Sequence, residues 1–139
     1  MPNVMELAAV AEGPRRVFVY GTLRKGEVND INRLSPSPVY LGSARVAGTL
    51  YPLGWYPGLV LGGEGTVVGE VYAVTPELER RLDEIECLLP EPTGEYLKRE
   101  LQVDVEGRAM ECFVYEIEAG LVANLDPMPE GDWLSRAGA

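Results

Sequence analysis

An α+β domain around a mostly antiparallel or mixed sheet is what this sequence predicts, and three observations point there. Runs rich in β-branched and aromatic residues occur in both halves, at 17–20, 39–51, 66–74, 95–105 and 109–118. One segment, opening at Thr75-Pro76, carries the start signal and apolar spacing of a helix. No strand–helix–strand alternation recurs, so nothing supports a doubly wound parallel sheet. With 139 residues the chain fits one domain able to bury a core unaided, and 16 glycines and 11 prolines suit strands and turns better than a helical bundle.

Residues 1–15 carry little pattern and are expected to form a flexible tail ahead of a single domain over 16–139. Val17-Phe18-Val19-Tyr20 reads as a short buried strand, which Gly21 ends in a turn. Residues 27–34 fit a short helix or loop anchored by Ile31 and Leu34. The strand over 39–51 is broken at Gly42 and Gly48, a pattern that bends or bulges a strand as small closed sheets require. Trp55-Tyr56-Pro57-Gly58-Leu59 is an aromatic turn, either a packed corner or one wall of a pocket. Gly62-Gly63-Glu64-Gly65 reads as a turn before the strand over 66–74.

Thr75 suits an N-cap and Pro76 the first helical position. Leu78, Leu82 and Ile85 recur at i, i+4 and i+7, giving one apolar stripe to face the sheet. Residues 88–94, with two prolines and a glycine, cannot continue the helix. Two strands, 95–105 and 109–118, then form a hairpin turning near Glu106-Gly107. Trp133 and Leu134 are positioned to fold the turn-rich tail back onto the body.

The net charge of −10 disfavours nucleic acid and anionic membranes as partners, because both reward basic patches. No apolar run approaches the ~20 residues of a bilayer span, and Glu6 and Glu12 interrupt the one candidate signal segment. Cys87 and Cys112 form no spaced cluster and read as free buried thiols, so a cytoplasmic location is expected. Histidine is absent, which removes Ser-His and Cys-His nucleophiles and most zinc sites. Proton transfer near neutral pH then falls to a carboxylate in a tuned environment.

Two stretches can carry chemistry. After Tyr20, the turn at Gly21-Thr22-Leu23 can aim several backbone N–H groups one way, a nest suited to a carboxylate or oxyanion; read alone, it is equally a core strand followed by an ordinary loop. Gly21 and Gly26 have P-loop spacing, but Glu27-Val28 stands where Lys-Ser/Thr belongs, so a Walker site is rejected. The second stretch is Asp83, Glu84 and Glu86 in the last helical turn, where negative charge is unfavourable. At ~100° per residue, Asp83 and Glu84 point away from the apolar stripe, whereas Glu86 lies about 80° from its centre, at the edge. Burial and the negative helix end would both raise its pKa. A solvated acidic helix end fits the same residues.

Tyr20-Gly21-Thr22-Leu23-Arg24, behind a hydrophobic strand and followed by Asn29 and Asn32, resembles the signature loop of the γ-glutamylcyclotransferase-like family. Tyr56-Pro57-Gly58, Val68-Gly69-Glu70-Val71-Tyr72, Leu82-Asp83-Glu84-Ile85-Glu86, Glu95-Tyr96 with Arg99, and Gly131-Asp132-Trp133-Leu134 match in the family's order, over roughly 16–134. The resemblance implies a small, partly closed β-barrel flanked by short helices, with a pocket at its mouth. It assigns catalysis to Glu86, the second acid of L-D-x-x-E, and substrate binding to Tyr20, Gly21, Thr22, Leu23 and Tyr96. Tyr96 also fits a core strand aromatic, and Arg24 and Arg99 either draw an anionic substrate or pair with surface acids.

The implied reaction is closure of a γ-glutamyl amine or amino acid to 5-oxoproline with release of the free amine, Glu86 serving as general acid and base, with no metal or organic cofactor. A non-catalytic module binding a small metabolite is the alternative. A third reading is an interaction domain using Leu88-Leu89 and Trp133. The sequence departs from the family pattern at Cys87, where glycine is usual, and in a longer 88–94 connection that fits a lid, a dimer contact or a selectivity element. Oligomeric state is not legible.

Overall fold

The computed structural model describes residues 15–86 and 94–135. The expected tail therefore lies outside the described residues, except Arg15, which opens the first strand. Cys87 and residues 88–93 of the longer connection lie outside them as well. A mixed sheet of five strands closes completely into a barrel in the order β1-β3-β2-β4-β5. The strands are β1 (Arg15–Val19), β2 (Val39–Pro52), β3 (Pro57–Val74), β4 (Tyr96–Val105) and β5 (Arg108–Ile117). All neighbours run antiparallel except β1 and β5, whose parallel contact at Val17 and Phe113 shuts the barrel.

The unbroken apolar run in β1 has a simple cause: both of its faces are buried. Side chains alternate along a strand, so Phe18 and Tyr20 join residues of every other strand in the barrel interior. Val17 and Val19 face outward, under Leu78 and Leu82 of helix α1 (Pro76–Ile85). β5 is divided the same way: Cys112 and Val114 inside, Phe113, Tyr115 and Ile117 outside. Trp133 is buried in the interior cluster, and the Val68 amide donates to the Gly131 carbonyl at 2.7 Å, so the tail packs against the barrel. Burial of Trp133 removes it from the expected interaction surface. Leu134 remains partly exposed.

The helix starts as its sequence predicts, with Thr75 Oγ1 accepting the Leu78 amide at 3.1 Å and Pro76 in the first turn. Its apolar stripe is shorter than expected. Leu78 and Leu82 are fully buried, but Ile85 is 37% exposed and turns toward a cavity instead. The expected turn at Gly62-Gly63-Glu64-Gly65 does not end a strand. β3 runs through it, and the partners jump from Leu61–Gly48 to Thr66–Ala47, so these residues form an excursion that the positive φ of Gly62 and Gly63 permits. A further irregularity between Tyr40 and Gly42 agrees with the predicted bends of β2. Residues 31–33 form a 3-10 turn with Ile31 fully buried. No helix among the described residues is long and apolar enough to cross a membrane.

Leu82 ties α1 to the outer face of β1 and β5. Leu82→Ala is expected to cost about 2–5 kcal/mol, read from urea unfolding. A loss below about 1 kcal/mol would mean that the helix is held by its polar contacts instead.

Candidate active site

A cavity of about 200 Å³ opens at one end of the barrel. Its wall brings together four separate stretches: the turn after β1, the Trp55-Tyr56-Pro57 corner, the end of α1, and the start of β4 with Tyr115 of β5. Tyr20, Gly21, Thr22, Leu23, Glu86 and Tyr96, all singled out in the sequence, line this one space. The aromatic corner is thus a pocket wall.

Gly21 is needed because of close packing: a Cβ there would lie 2.6 Å from Cγ of Pro57. Beyond it the loop is braced from within. The Arg24 amide donates to the Gly21 carbonyl at 3.0 Å, the Asn29 amide to the Thr22 carbonyl at 2.9 Å, and the Ile31 amide to the Leu23 carbonyl at 2.9 Å. Asn29 Nδ2 adds a bond to Thr22 Oγ1 at 3.2 Å. Lys25 and Gly26 amides are used by Glu70 and Asp30. By contrast, the amides of Gly21, Thr22 and Leu23 donate to no acceptor among the described residues.

Arg24 faces away from the cavity. Only 7% exposed, it donates through Nε to Glu70 at 2.9 Å and through Nη1 to Asp132 at 2.7 Å. Glu70 also accepts from the Tyr72 hydroxyl at 2.9 Å, so a buried, hydrogen-bonded charge pair fixes the loop from behind. Arg99 pairs with Glu116 at 3.0 Å. Both arginines that the sequence left between two roles therefore pair with acids.

Both expected binding tyrosines have hydroxyls already committed. Tyr20 donates to the Tyr115 carbonyl at 2.5 Å and accepts the Leu59 amide at 3.3 Å. Tyr96 donates to the Pro57 carbonyl at 2.8 Å. Burial raises both phenols well above their ordinary pKa, with nearby Glu86 adding to the effect, so they are neutral at pH 7.

Glu86 caps the C-terminus of α1, its amide donating to the Leu82 carbonyl at 2.9 Å. Burial pushes its carboxyl pKa from 4.5 up to about 7, and the neighbouring negative charge of Glu95 adds to the shift. Asp83, expected to point away, is instead half-buried: Tyr115 donates to it at 2.7 Å and Lys98 at 3.1 Å, and Lys98 also reaches Glu79. It holds the helix end against β4 and β5. Glu84 does point outward, toward Arg80 at 3.8 Å.

Two lining residues, Glu95 and Tyr115, carried no functional role in the sequence, and a third, Ile85, was expected in the apolar stripe facing the sheet. Glu95 accepts the Tyr56 hydroxyl at 2.8 Å. Its place immediately before Tyr96 was the available signal, but only closure of the sheet brings it to the same space as Glu86.

Residues 17–135 match the family model described as gamma-glutamyl cyclotransferase, AIG2-like. The chain belongs to that family. It is 42% identical over 71 residues to the gamma-L-glutamyl-butirosin B gamma-glutamyl cyclotransferase of Niallia circulans, covering 50% of this chain and 44% of that one. It is 37% identical over 114 residues to the gamma-glutamylaminecyclotransferase of Bos taurus, covering 71% and 63% of the two chains. The matches thus span less than two thirds of either relative's length. The crystal structure of a mouse AIG2-like protein superposes with a TM-score of 0.71 at 28% identity, covering 86% of this chain and 88% of that one.

A carboxyl whose pKa rises on folding from 4.5 to about 7 weakens the folded state as pH climbs through that interval, and the cost persists above it. Glu86→Gln has no such charge to bury. The variant is expected to melt above wild type at pH 8, with the difference shrinking at pH 4. A difference equal at both pH values, measured by scanning calorimetry, would show that the carboxyl is not held in its neutral form.

Proposed function

We propose that this family member cyclises the γ-glutamyl group of a small γ-glutamyl compound to 5-oxoproline, with Glu86 as general acid and base. The observation that carries the reading is the pairing, across one cavity, of a carboxyl with a pKa near 7 and a turn with three uncommitted amides. The names of the relatives from N. circulans and B. taurus support the reaction class. A cytoplasmic site of action belongs to the same proposal, supported by the free, buried Cys112.

In this reading the substrate's α-carboxylate lies on the Gly21, Thr22 and Leu23 amides, and its α-ammonium beside Glu86. Ionised Glu86 takes a proton from the ammonium. The freed amine attacks the γ-carbonyl carbon, forming the ring C–N bond. Glu86 returns a proton to the departing nitrogen, and the old amide bond breaks. Across the reaction the α-nitrogen loses two protons and the leaving amine gains two, so charge and atoms balance. Because nucleophile and electrophile share one molecule, holding a bent conformer is the larger part of the task. Tyr20, Tyr96 and Tyr115 shape that space, their hydroxyls holding the walls together.

The test uses a panel of γ-glutamyl compounds with 5-oxoproline as the readout. Wild-type kcat/KM is expected to rise with pH through about 7, as Glu86 ionises, and then level off. Glu86→Gln should lose at least about a hundredfold in kcat while still binding. Glu84→Gln, on the outer face, should retain wild-type turnover. Asp83→Asn is no longer a silent control, since it breaks the Tyr115 and Lys98 contacts. Near-normal turnover by Glu86→Gln would defeat the mechanism. Binding without turnover by wild type would favour a non-catalytic metabolite-binding module.

A further inference from the structure

We propose that Trp55 and Ile85 form a subsite at the mouth of this cavity that receives an apolar, preferably aromatic, group carried by the departing amine. The proposal rests on the cyclotransferase reading for the γ-glutamyl half of the ligand and concerns the other half.

The position of the departing nitrogen leads to it. That nitrogen takes its proton from Glu86 and so lies beside it. Ile85 precedes Glu86 in the chain and lines the same cavity. The γ-glutamyl half rests on the turn after β1, where Gly21 and Leu23 are buried. Whatever else the nitrogen carries must then leave by the open end. Among the described lining residues, only Trp55, 66% exposed, and Ile85, 37% exposed, are open to solvent. These two therefore mark the mouth. Both are apolar, and they come from different elements: Ile85 ends α1, and Trp55 sits in the turn between β2 and β3.

Trp55 is presented on a stiff support. Its four-residue turn, 53–56, lies between Pro52 and Pro57, which pair across β2 and β3. The Leu53 amide donates to the Tyr56 carbonyl at 2.9 Å, and Gly54 supplies the positive φ of 98° that the turn requires. The indole stands edge-on to the Tyr56 ring at 4.9 Å, and the Tyr56 hydroxyl is bonded to Glu95 at 2.8 Å. An edge contact takes at most one face of the indole, so the other can meet a ligand ring. A group laid there removes apolar surface from water, and a side chain already held in place loses little freedom in binding it. An aromatic group gains ring stacking as well, whereas a polar chain of the same length gains neither.

Three γ-glutamyl amides test the proposal: the phenethyl amide, the 2-(2-hydroxyethoxy)ethyl amide of similar length, and the methyl amide, which has almost nothing beyond the nitrogen. Their kcat/KM is measured on wild type, and their Kd by calorimetry on Glu86→Gln, which binds without reacting. The phenethyl amide should be preferred over each of the others by at least about tenfold in both measurements, the scale of burying much of a ring. Trp55→Ala should bring all three within about threefold of one another, Trp55→Phe should retain most of the preference, and Ile85→Ala should narrow it partway. Comparing ratios cancels any effect of a variant on the γ-glutamyl half, which all three amides share.

Equal use of the phenethyl and hydroxyethoxyethyl amides, or a preference that survives Trp55→Ala, overturns the proposal. Should Trp55→Ala not fold, Trp55→Gln makes the same comparison, and the contrast on the unaltered chain needs no variant. The two readings also fail separately. No 5-oxoproline from any amide, together with a calorimetric preference for the phenethyl amide that Trp55→Ala removes, would sink the reaction and leave the subsite. Turnover of all three at similar rates would do the reverse.

Discussion

Burial of β1 on both faces is the constraint from which the rest of this structure follows. Phe18 and Tyr20 fill the barrel, while Val17 and Val19 seat α1. A one-residue slip would exchange these two sets, so the register against Val71 and Tyr72 is strongly specified. The same strand makes the parallel contact with β5 that closes the barrel. Where it ends is therefore determined as firmly as the core, and Gly21, Thr22 and Leu23 inherit that position. A turn built this way owes little to its own internal stability. Its far side is fixed by the Arg24–Glu70 pair and its cavity side by Pro57.

The end of α1 is placed by a different set of forces. Leu78 and Leu82 bury the first two turns, but the last turn has no apolar anchor and holds three acids. Asp83 supplies the anchor instead, accepting from Tyr115 and Lys98. This frees Ile85 and Glu86 to border the cavity rather than the core. Acids at a helix C-terminus are unfavourable, and here one of them is neutralised by Lys98 while another is kept partly protonated. The local conflict is of the kind that marks a functional site.

Much of this was legible in the sequence, and the failures are instructive. Strands, hairpin, helix start and the shared position of the Tyr20 turn and Glu86 follow from local pattern and from the resemblance to one family. The excursion at Gly62-Gly63 was misread because four turn-forming residues look the same whether they end a strand or bulge from one. Asp83 was misread because helical angle says which way a side chain points, not what stands there; Lys98 and Tyr115 arrive from strands 15 and 32 residues away. Glu95 went without a role for the same reason. Its place beside Glu86 on the cavity wall exists only once the sheet closes.

Sequestration of Arg24 links these observations. An arginine beside a turn whose amides are open to an anion would ordinarily be expected to grip that anion bidentately. Here the guanidinium is turned behind the loop and neutralised by Glu70 and Asp132. Had it faced the cavity, its charge would have stabilised ionised Glu86 and drawn that carboxyl back toward its ordinary pKa. Backbone amides bring partial charge only, so they can hold an anion without titrating their neighbour as strongly. Among the described residues no lysine or arginine lines the cavity, so burial and the charge of Glu95 can hold the Glu86 carboxyl near neutral pH.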